Sequence, residues 1–229
     1  QDPNILGDLE TCKKLASDFT KKYKGRLHSL NASKLKLAYI ELEHLLTPLY
    51  KVSQYVNLIY TTDTSNDHVK ALVSKVDEIE SDISNIIVFF DLELGDTPEK
   101  TANLWLNDPE LAPYTYSFKR TIATAKFNLS EKEEHLATLK SLTGKQAWQK
   151  LYNELTNGFM FEFEVDGEVK TINGSQLRAL RQHPNAETRR KAMDLFFSRY
   201  EDHQLTLTHI FNNIVKDHAI ECQLRGYES

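Results

Sequence analysis

The residues of this sequence best suited to chemistry are a histidine and a cysteine near its carboxyl end. His218 and Cys222 are four positions apart with Glu221 beside Cys222, so a helix places them on one face as candidate metal ligands. A zinc site needs two more ligands, and the nearest candidate, His209, lies more than two helical turns away. We therefore expect no metal site here, and we assign no catalytic, cofactor-binding or metal-binding residue to the chain.

Other polar side chains have simpler structural interpretations. Two histidines with an acidic neighbour are interpreted as solvated surface groups: His44 with Glu41, and His203 with Asp202. A carboxylate cluster opens a predicted helix, where the helix dipole favours negative charge; it comprises Glu131, Glu133 and Glu134. A modest basic patch can meet a peptide carboxylate, although a solvated face is the favoured interpretation; it comprises Arg178, Arg181, Arg189, Arg190 and Lys191.

Two apolar seams with alternating spacings of three and four predict a long antiparallel helical hairpin over about residues 34–94. The first seam comprises Leu35, Ala38, Leu42, Leu45, Leu49, Val52, Val56 and Ile59. The second comprises Val69, Leu72, Val76, Ile79, Ile83, Ile86 and Phe90, after a polar turn at 61–67. Because the seams are equally long, we favour mutual burial over a partner-binding coiled coil. Pro48 inside the first helix predicts a kink or a break.

The middle of the chain carries signals for several shorter helices. Thr97 and Pro98 open one helix, and Ser130 with Glu133 forms a capping box for another that runs through Leu142. Gly144 separates it from a helix whose apolar residues are expected to pack in a core instead of forming a ligand platform. These residues are Ala147, Trp148, Leu151, Tyr152 and Leu155.

The spacing of apolar residues changes to every second position between about 159 and 172, which predicts one small β-hairpin. Phe159, Phe161, Phe163 and Val165 share a face that must lie on helices, and Asp166 with Gly167 makes the turn. The edge of such a hairpin can bind an extended peptide by strand addition, or the hairpin can be a structural flap. Both alternatives stay open, and an alanine at Phe161 is the proposed test.

Two amphipathic helices are predicted at the end of the chain. The first starts after Pro184 with Asn185 as its cap, and its stripe comprises Ala192, Met193, Phe196, Phe197 and Tyr200. The stripe of the second comprises Leu207, Ile210, Phe211, Ile214, Val215, Ala219 and Leu224, and Gly226 ends the helix. Since the chain stops at Ser229 and begins at Gln1 without a methionine, we expect a piece of a longer protein.

Several short stretches, taken in order, resemble one family. They are Tyr23-Lys24-Gly25-Arg26-Leu27; Leu129 to Glu134; Thr143-Gly144 with Ala147-Trp148, Leu151-Tyr152, Phe161 and Phe163; and Leu180, Pro184-Asn185, Arg189 to Ala192, Tyr200, Asn213, Val215 and Arg225-Gly226-Tyr227. This order and spacing resembles the amino-terminal part of oligoendopeptidase F, in the thimet oligopeptidase superfamily of zinc metallopeptidases.

The resemblance implies a zinc ion held by a His-Glu-x-x-His helix, in which the glutamate polarises the attacking water. None of the eight histidines here begins that pattern. In the family the pattern lies beyond the Arg-Gly-Tyr, so zinc is expected only in the full-length protein. We expect residues 1–110 to form a helical region with the long hairpin, 111–199 the family's amino-terminal domain with the β-hairpin, and 200–229 the first helix of a truncated catalytic domain.

Three functional hypotheses follow. In the first, the chain is the scaffold and channel wall of an oligoendopeptidase that cleaves short peptides in an enclosed channel, and it is inactive alone. In the second, it is a noncatalytic helical interaction module. In the third, it is a truncated gene product that keeps only the fold. The first implies short peptides and the missing carboxy-terminal catalytic half as partners. The encoding reading frame tests the first hypothesis: a His-Glu-x-x-His pattern downstream of Ser229 selects it, and a frame that ends at Ser229 excludes it.

Composition limits the class of protein further. Charged residues make up 27% and hydrophobic residues 40% of the chain, with eight glycines and six prolines, which favours a mainly α fold. The net charge of −5 argues against nucleic acid as a partner. No apolar run approaches the ~20 residues of a membrane-spanning helix, and the two cysteines, Cys12 and Cys222, are too few for a disulfide framework. We therefore expect a cytoplasmic protein with no membrane partner.

Overall fold

The amino-terminal part of the protein is a bundle of three long helices. The computed structural model describes residues 4–64, 66–165 and 167–227. Helices α1 (Asn4–Tyr23), α2 (Ala32–Thr62) and α3 (Asp67–Gly95) each pack against the other two. The predicted antiparallel hairpin is confirmed as α2 and α3, since α2 ends at Thr62 and α3 begins at Asp67, both within the predicted polar turn.

Helix α1 covers part of both hairpin seams. Six of its residues alternate in spacing between four and three and are buried: Ile5, Leu9, Cys12, Ala16, Phe19 and Tyr23. The ring of Phe19 lies 5.9 Å from that of Phe89 and 5.5 Å from that of Phe90, measured between centroids. The expectation that the two seams simply bury each other is therefore incomplete, because a third helix with the same periodicity shares the core.

Helix α2 continues through Pro48 as one element, so the break into two helices that Pro48 predicts does not occur. The amino ends of α2 and α3 are capped by asparagine side chains. Asn31 accepts a hydrogen bond from the Lys34 amide at 3.0 Å, and Asn66 accepts from the amides of His68 and Val69. These caps satisfy backbone donors that have no partner inside the helix.

Four shorter helices follow: α4 (Glu99–Leu106), α5 (Thr115–Thr124), α6 (Glu131–Thr143) and α7 (Lys145–Asn157). The predicted capping box is present, because Ser130 and Glu133 bond to each other's backbone amides at the start of α6. Trp105 of α4 is buried, and its indole N–H donates to the carbonyl oxygen of Leu30 at 3.2 Å. This bond fastens α4 to the three-helix bundle.

The β-hairpin is present where the period of two predicts it. Strand β1 (Met160–Val165) pairs antiparallel with β2 (Glu168–Asn173), and Gly167 has a φ of +85°, a conformation that glycine adopts readily. The other predicted turn residue, Asp166, and the side chain of Val165 lie outside the described residues. Three alternate phenylalanines are buried in a second core with Leu177 and Ala192: Phe159, Phe161 and Phe163. The face that was expected to lie on helices does so.

The chain continues through α8 (Gly174–Ala179), α9 (Ala186–Asp202) and α10 (Gln204–Arg225). As predicted, Asn185 caps α9 by accepting from the Glu187 amide at 2.8 Å. The mainly α fold with a single small hairpin among the described residues is the predicted fold class. In the part of the chain that the structure describes, no helix combines the length and the apolar composition that crossing a bilayer requires.

Candidate functional site

An open apolar groove lies between α7, α9 and α10; we call it the α10 groove. Its volume is about 690 Å³. Helix α7 contributes Gln149, Tyr152 and Asn153, α9 contributes Tyr200, and α10 contributes Leu207, Ile210, Phe211 and Ile214. A large apolar concavity with a few polar groups is the usual form of a binding site, so this groove is the candidate site on geometry alone.

The α7 side of the groove departs from the sequence prediction. Core packing was expected for its apolar residues, and Trp148 and Leu155 are half-buried, but Ala147 is exposed, and Leu151 and Tyr152 are each 41% exposed. The prediction is therefore wrong for these three residues. Helix α7 packs mainly against α6 and α10, which leaves its remaining face open. Burial raises the pKa of the Tyr200 hydroxyl, and the neighbouring Tyr152 raises it further, so Tyr200 presents a protonated phenol to the groove at neutral pH.

Helix α10 exposes large apolar side chains on more than one side. They range from 45 to 75% exposed and comprise Leu205, Phe211, Val215, Ile220 and Leu224. Phe211 and Ile220 are nine positions apart, so at about 100° per residue they point in opposite directions. The prediction of a single apolar stripe is therefore wrong, because only Ile210 of this helix is fully buried among the described residues. A helix with exposed apolar side chains on opposite sides is typical of one that other elements cover on more than one side.

The carboxyl end of α10 is held against the start of α6. Gly226 adopts a left-handed conformation with φ of +71°, and the amides of Gly226 and Tyr227 bond to the carbonyl oxygens of Gln223 and Cys222. This is the predicted glycine termination, with both bonds of a Schellman motif. The ring of Tyr227 stacks on Phe127, with centroids 4.0 Å apart.

Arg225 completes this attachment. Its guanidinium donates to both oxygens of Glu134, at 2.7 and 2.9 Å, and its Nε donates to Glu221 at 3.1 Å. Glu134 also accepts a hydrogen bond from the Leu129 amide. The hydrogen bonds from Arg225 are the main cause that lowers the pKa of Glu134 below its usual range. Helix dipole alone was expected to explain Glu134, and that interpretation is wrong, because a specific cation 91 positions away holds it.

The other acidic residues of this cluster have separate partners. Glu133 belongs to the capping box, while Glu131 forms an ion pair with Lys24. Arg225 belongs to the Arg225-Gly226-Tyr227 stretch, on which the family resemblance partly rests. An arginine next to a helix-terminating glycine was the available signal, but its acidic partner could not be chosen without the fold.

The residues considered as metal ligands do not form a metal site. The Sγ of Cys222 lies 3.6 Å from Nε2 of His218, as neighbours on one helix face. Among the described residues, no group of three or more His, Cys, Asp or Glu side chains is arranged to hold a metal ion. His44 is exposed, but His203 stacks on Phe159 with centroids 4.8 Å apart. The interpretation of His203 as a solvated group is therefore wrong, since the second core extends to the end of α9.

Three of the five residues of the predicted basic patch have local partners. Arg189 donates to the carbonyl oxygens of His183 and Pro184, at 2.7 and 2.8 Å. Arg178 lies over the ring of Phe196, and Lys191 pairs with a glutamate one turn earlier. These contacts give the patch a structural role in α8 and in the first turns of α9.

The chain combines a long helical hairpin, a small β-hairpin and a last helix with exposed apolar side chains. A sequence model of the family described as Oligopeptidase F matches residues 93–161. An oligoendopeptidase F homolog of Borreliella burgdorferi is 29% identical over 180 residues, which are 77% of this chain and 30% of that protein. One from Lactococcus lactis is 24% identical over 82% of this chain and 33% of its own length. The chain thus spans about a third of these curated relatives.

The fold agrees with the sequence comparison. The crystal structure of oligoendopeptidase-F from Enterococcus faecium superposes on all of this chain with a TM-score of 0.83 at 18% identity, and the match covers 46% of that protein. The class is therefore a mainly helical, peptidase-related scaffold. The chain is similar to the amino-terminal part of oligoendopeptidase F proteins.

Proposed function

We propose that the chain is the noncatalytic amino-terminal part of a zinc-dependent oligoendopeptidase that cleaves short peptides in an enclosed channel. The chain supplies scaffold and channel wall, and by itself it is inactive. The observation that carries this proposal is the α10 helix, which is apolar on opposite sides yet open to solvent, in a chain that resembles oligoendopeptidases along most of its length.

The α10 groove and the exposed side chains around it fit contact with the carboxy-terminal catalytic half. Exposed apolar patches of this kind typically mark protein contacts. Phe211 and Val215 would meet one neighbour, and Ile220 with Leu224 another, because the two pairs face different directions. In this proposal, residues 200–229 begin the catalytic domain and the Arg225–Glu134 pair fixes its first helix to the scaffold.

The zinc ion has no place among the described residues of this chain. His218 and Cys222 lie side by side, but no group of three or more His, Cys, Asp or Glu side chains among the described residues could hold the ion. We therefore assign the metal and the water-activating glutamate to the catalytic half, in which we expect a His-Glu-x-x-His helix. Short peptides are the proposed substrates of the complete protein.

The test is reconstitution. The chain alone is assayed for zinc by mass spectrometry and for cleavage of a quenched fluorescent peptide, and neither zinc nor cleavage is expected. The polypeptide that follows Ser229 in the same reading frame is then produced separately and mixed with it. A stable complex that holds zinc and cleaves the peptide supports the proposal. A frame that ends at Ser229, or one stoichiometric zinc on the chain alone, overturns it.

A second candidate function is a noncatalytic interaction module built on the long hairpin. The outer face of α2 exposes four apolar residues on one side, near its two ends: Leu37, Ile40, Tyr55 and Leu58. A partner helix lying along α2 would cover them. Reconstitution that succeeds equally well with Leu58→Ser and Tyr55→Ser, but fails with Phe211→Asp, would favour the peptidase scaffold over this module.

A further inference from the structure

We propose that the free edge of strand β1 is a peptide-binding site, which takes an extended segment with basic side chains at alternate positions. The site would bind peptide whether or not the chain joins a peptidase. Within the described residues, β1 pairs with β2 on one edge and with no strand on the other. An unpaired edge presents backbone donors and acceptors at strand spacing, and an extended peptide matches them.

One hydrogen bond shows which backbone groups point to this edge. The guanidinium of Arg199 donates to the carbonyl oxygen of Met160 at 3.5 Å, so the Met160 carbonyl faces away from β2. In an antiparallel pair, residues alternate between those that bond to the partner strand and those that point outward. The backbone groups of Glu162 and Glu164 therefore also point outward, while Phe161 and Phe163 bond to β2.

A groove of about 410 Å³ lies along this part of β1; we call it the β1 groove. Glu162, Phe163 and Glu164 form one wall, and Glu187, Thr188 and Lys191 of α9 form the other. The three strand residues in this wall are consecutive, and their side chains alternate between exposed and buried. A groove along one face of a strand would be lined by every second residue, so this groove runs along the edge of the strand. The groove thus leaves open the position that a third strand would take.

Charge selects the occupant. Lys191 is paired with Glu187 at 2.9 Å and is also attracted by Glu164. The carboxylates of Glu162, Glu164 and Glu187 outnumber this one lysine of the lining, so the groove has a net negative charge. Residues opposite Glu162 and Glu164 on an added strand are two positions apart and share a face, which places two basic side chains beside two carboxylates. A second copy of the same edge is disfavoured, because pairing would bring four glutamates together.

The phenylalanine face of β1 packs in the second core and does not take part in the proposed peptide contact. Phe161 is buried in the second core and stacks on Phe196, with centroids 6.3 Å apart. An alanine at Phe161 would leave a cavity in that core, so the test proposed from the sequence cannot separate peptide binding from folding. The groups that can be changed without touching the core are the outward backbone amides and the glutamates.

The experiment uses the 229-residue chain and a blocked, fluorescent hexapeptide of alternating lysine and threonine, followed by anisotropy. We expect saturable binding below about 1 mM, and binding about threefold to tenfold weaker when glutamate replaces the lysines. Methylating the backbone nitrogens of alternate residues keeps the peptide's charge but removes its edge donors. The methylated peptide is expected to lose binding.

Two matched proline variants locate the site. Glu162→Pro removes one outward amide on β1, whereas Thr171→Pro removes the outward amide of the residue that pairs with Glu162, on the opposite edge of the hairpin. Binding should be lost in Glu162→Pro and kept in Thr171→Pro. The NMR amide signals of the residues of the second core should be unchanged in both variants. Absence of binding up to about 1 mM, equal binding of the methylated peptide, or equal loss in both proline variants would overturn the site.

Discussion

Arg225 and Glu134 form a two-point ion pair that joins the last turn of α10 to the first turn of α6. Both nitrogens of the guanidinium fork donate to the carboxylate, and the side chains are only 19% and 14% exposed. Arginine suits this geometry because its planar fork matches the two carboxylate oxygens. The pair anchors the carboxyl end of α10, while packing of α10 against α7 positions the residues that line the α10 groove.

Replacing Glu134 with glutamine should lower the free energy of unfolding by about 2 kcal/mol, because a largely buried guanidinium loses its anion. Urea denaturation at pH 7 measures the change. Glu187→Gln is the matched control, since it removes the carboxylate of an exposed pair one turn apart on α9 and should leave stability unchanged. Equal effects of the two substitutions would show that the Arg225 contact does not stabilise the fold.

The stabilising effect of this pair should depend on pH. Arg225 lowers the pKa of Glu134 in the folded protein, so the contribution is complete above the unfolded-state pKa of about 4.3 and is lost as pH falls through the lowered folded-state pKa. The stability difference between wild type and Glu134→Gln should therefore shrink below about pH 4. Urea titrations at several pH values measure it, and a difference that grows on acidification would contradict the assigned sign.

Truncating either of two adjacent residues of α10 to alanine should have very different effects on the free energy of unfolding. Ile210 is 3% exposed and Phe211 is 68% exposed. Ile210→Ala should cost about 2–4 kcal/mol through a core cavity, whereas Phe211→Ala should change stability by less than about 0.5 kcal/mol. Urea denaturation of the isolated chain compares them. A large cost at Phe211 would mean that this side chain is already covered, which would remove it from the proposed contact surface.

Phe161→Ala should destabilise the second core by about 3–4 kcal/mol, since its ring is buried beneath the β-hairpin. Met160→Ala, one position earlier on the exposed face of β1, is the control and should have a small effect. Thermal unfolding followed by circular dichroism distinguishes them. Similar melting temperatures for the two variants would contradict the assignment of the two faces.

The two cysteines should differ in reactivity. Burial raises the pKa of the Cys12 thiol, and the carboxylate of Asp8 raises it further, so Cys12 is protonated and inaccessible in the folded chain. Cys222 is half-buried on α10. A thiol reagent should therefore modify one cysteine quickly and the second only on unfolding. The fast phase should vanish in Cys222→Ser, and its persistence would place the accessible thiol at Cys12.

Local signals predicted much of this fold. The seams of α2 and α3, the caps at Ser130 and Asn185, and the hairpin with its phenylalanine face all depend on neighbours close in sequence. The same alternating spacing was readable in α1, from Ile5 to Tyr23, and it was the missed signal for a third helix in the bundle.

Contacts between distant segments were beyond such signals. Periodicity shows which face of a helix is apolar, but it does not show whether another element covers that face; this is why Tyr152 was expected in a core and lies in a groove. The ion pair of Arg225 and Glu134 depends on where two helix ends meet, and no spacing in the sequence encodes that meeting.

The buried indole of Trp105 has a spectroscopic consequence. The chain has two tryptophans, and the other, Trp148, is half-buried on α7. Trp105 is buried between Phe118 of α5 and the Leu30 carbonyl, so its fluorescence comes from a dry environment, while that of the half-buried Trp148 comes from a partly wet one. A Trp148→Phe variant therefore reports on the contact of α4 with the rest of the amino-terminal core, and a Trp105→Phe variant on the surroundings of α7.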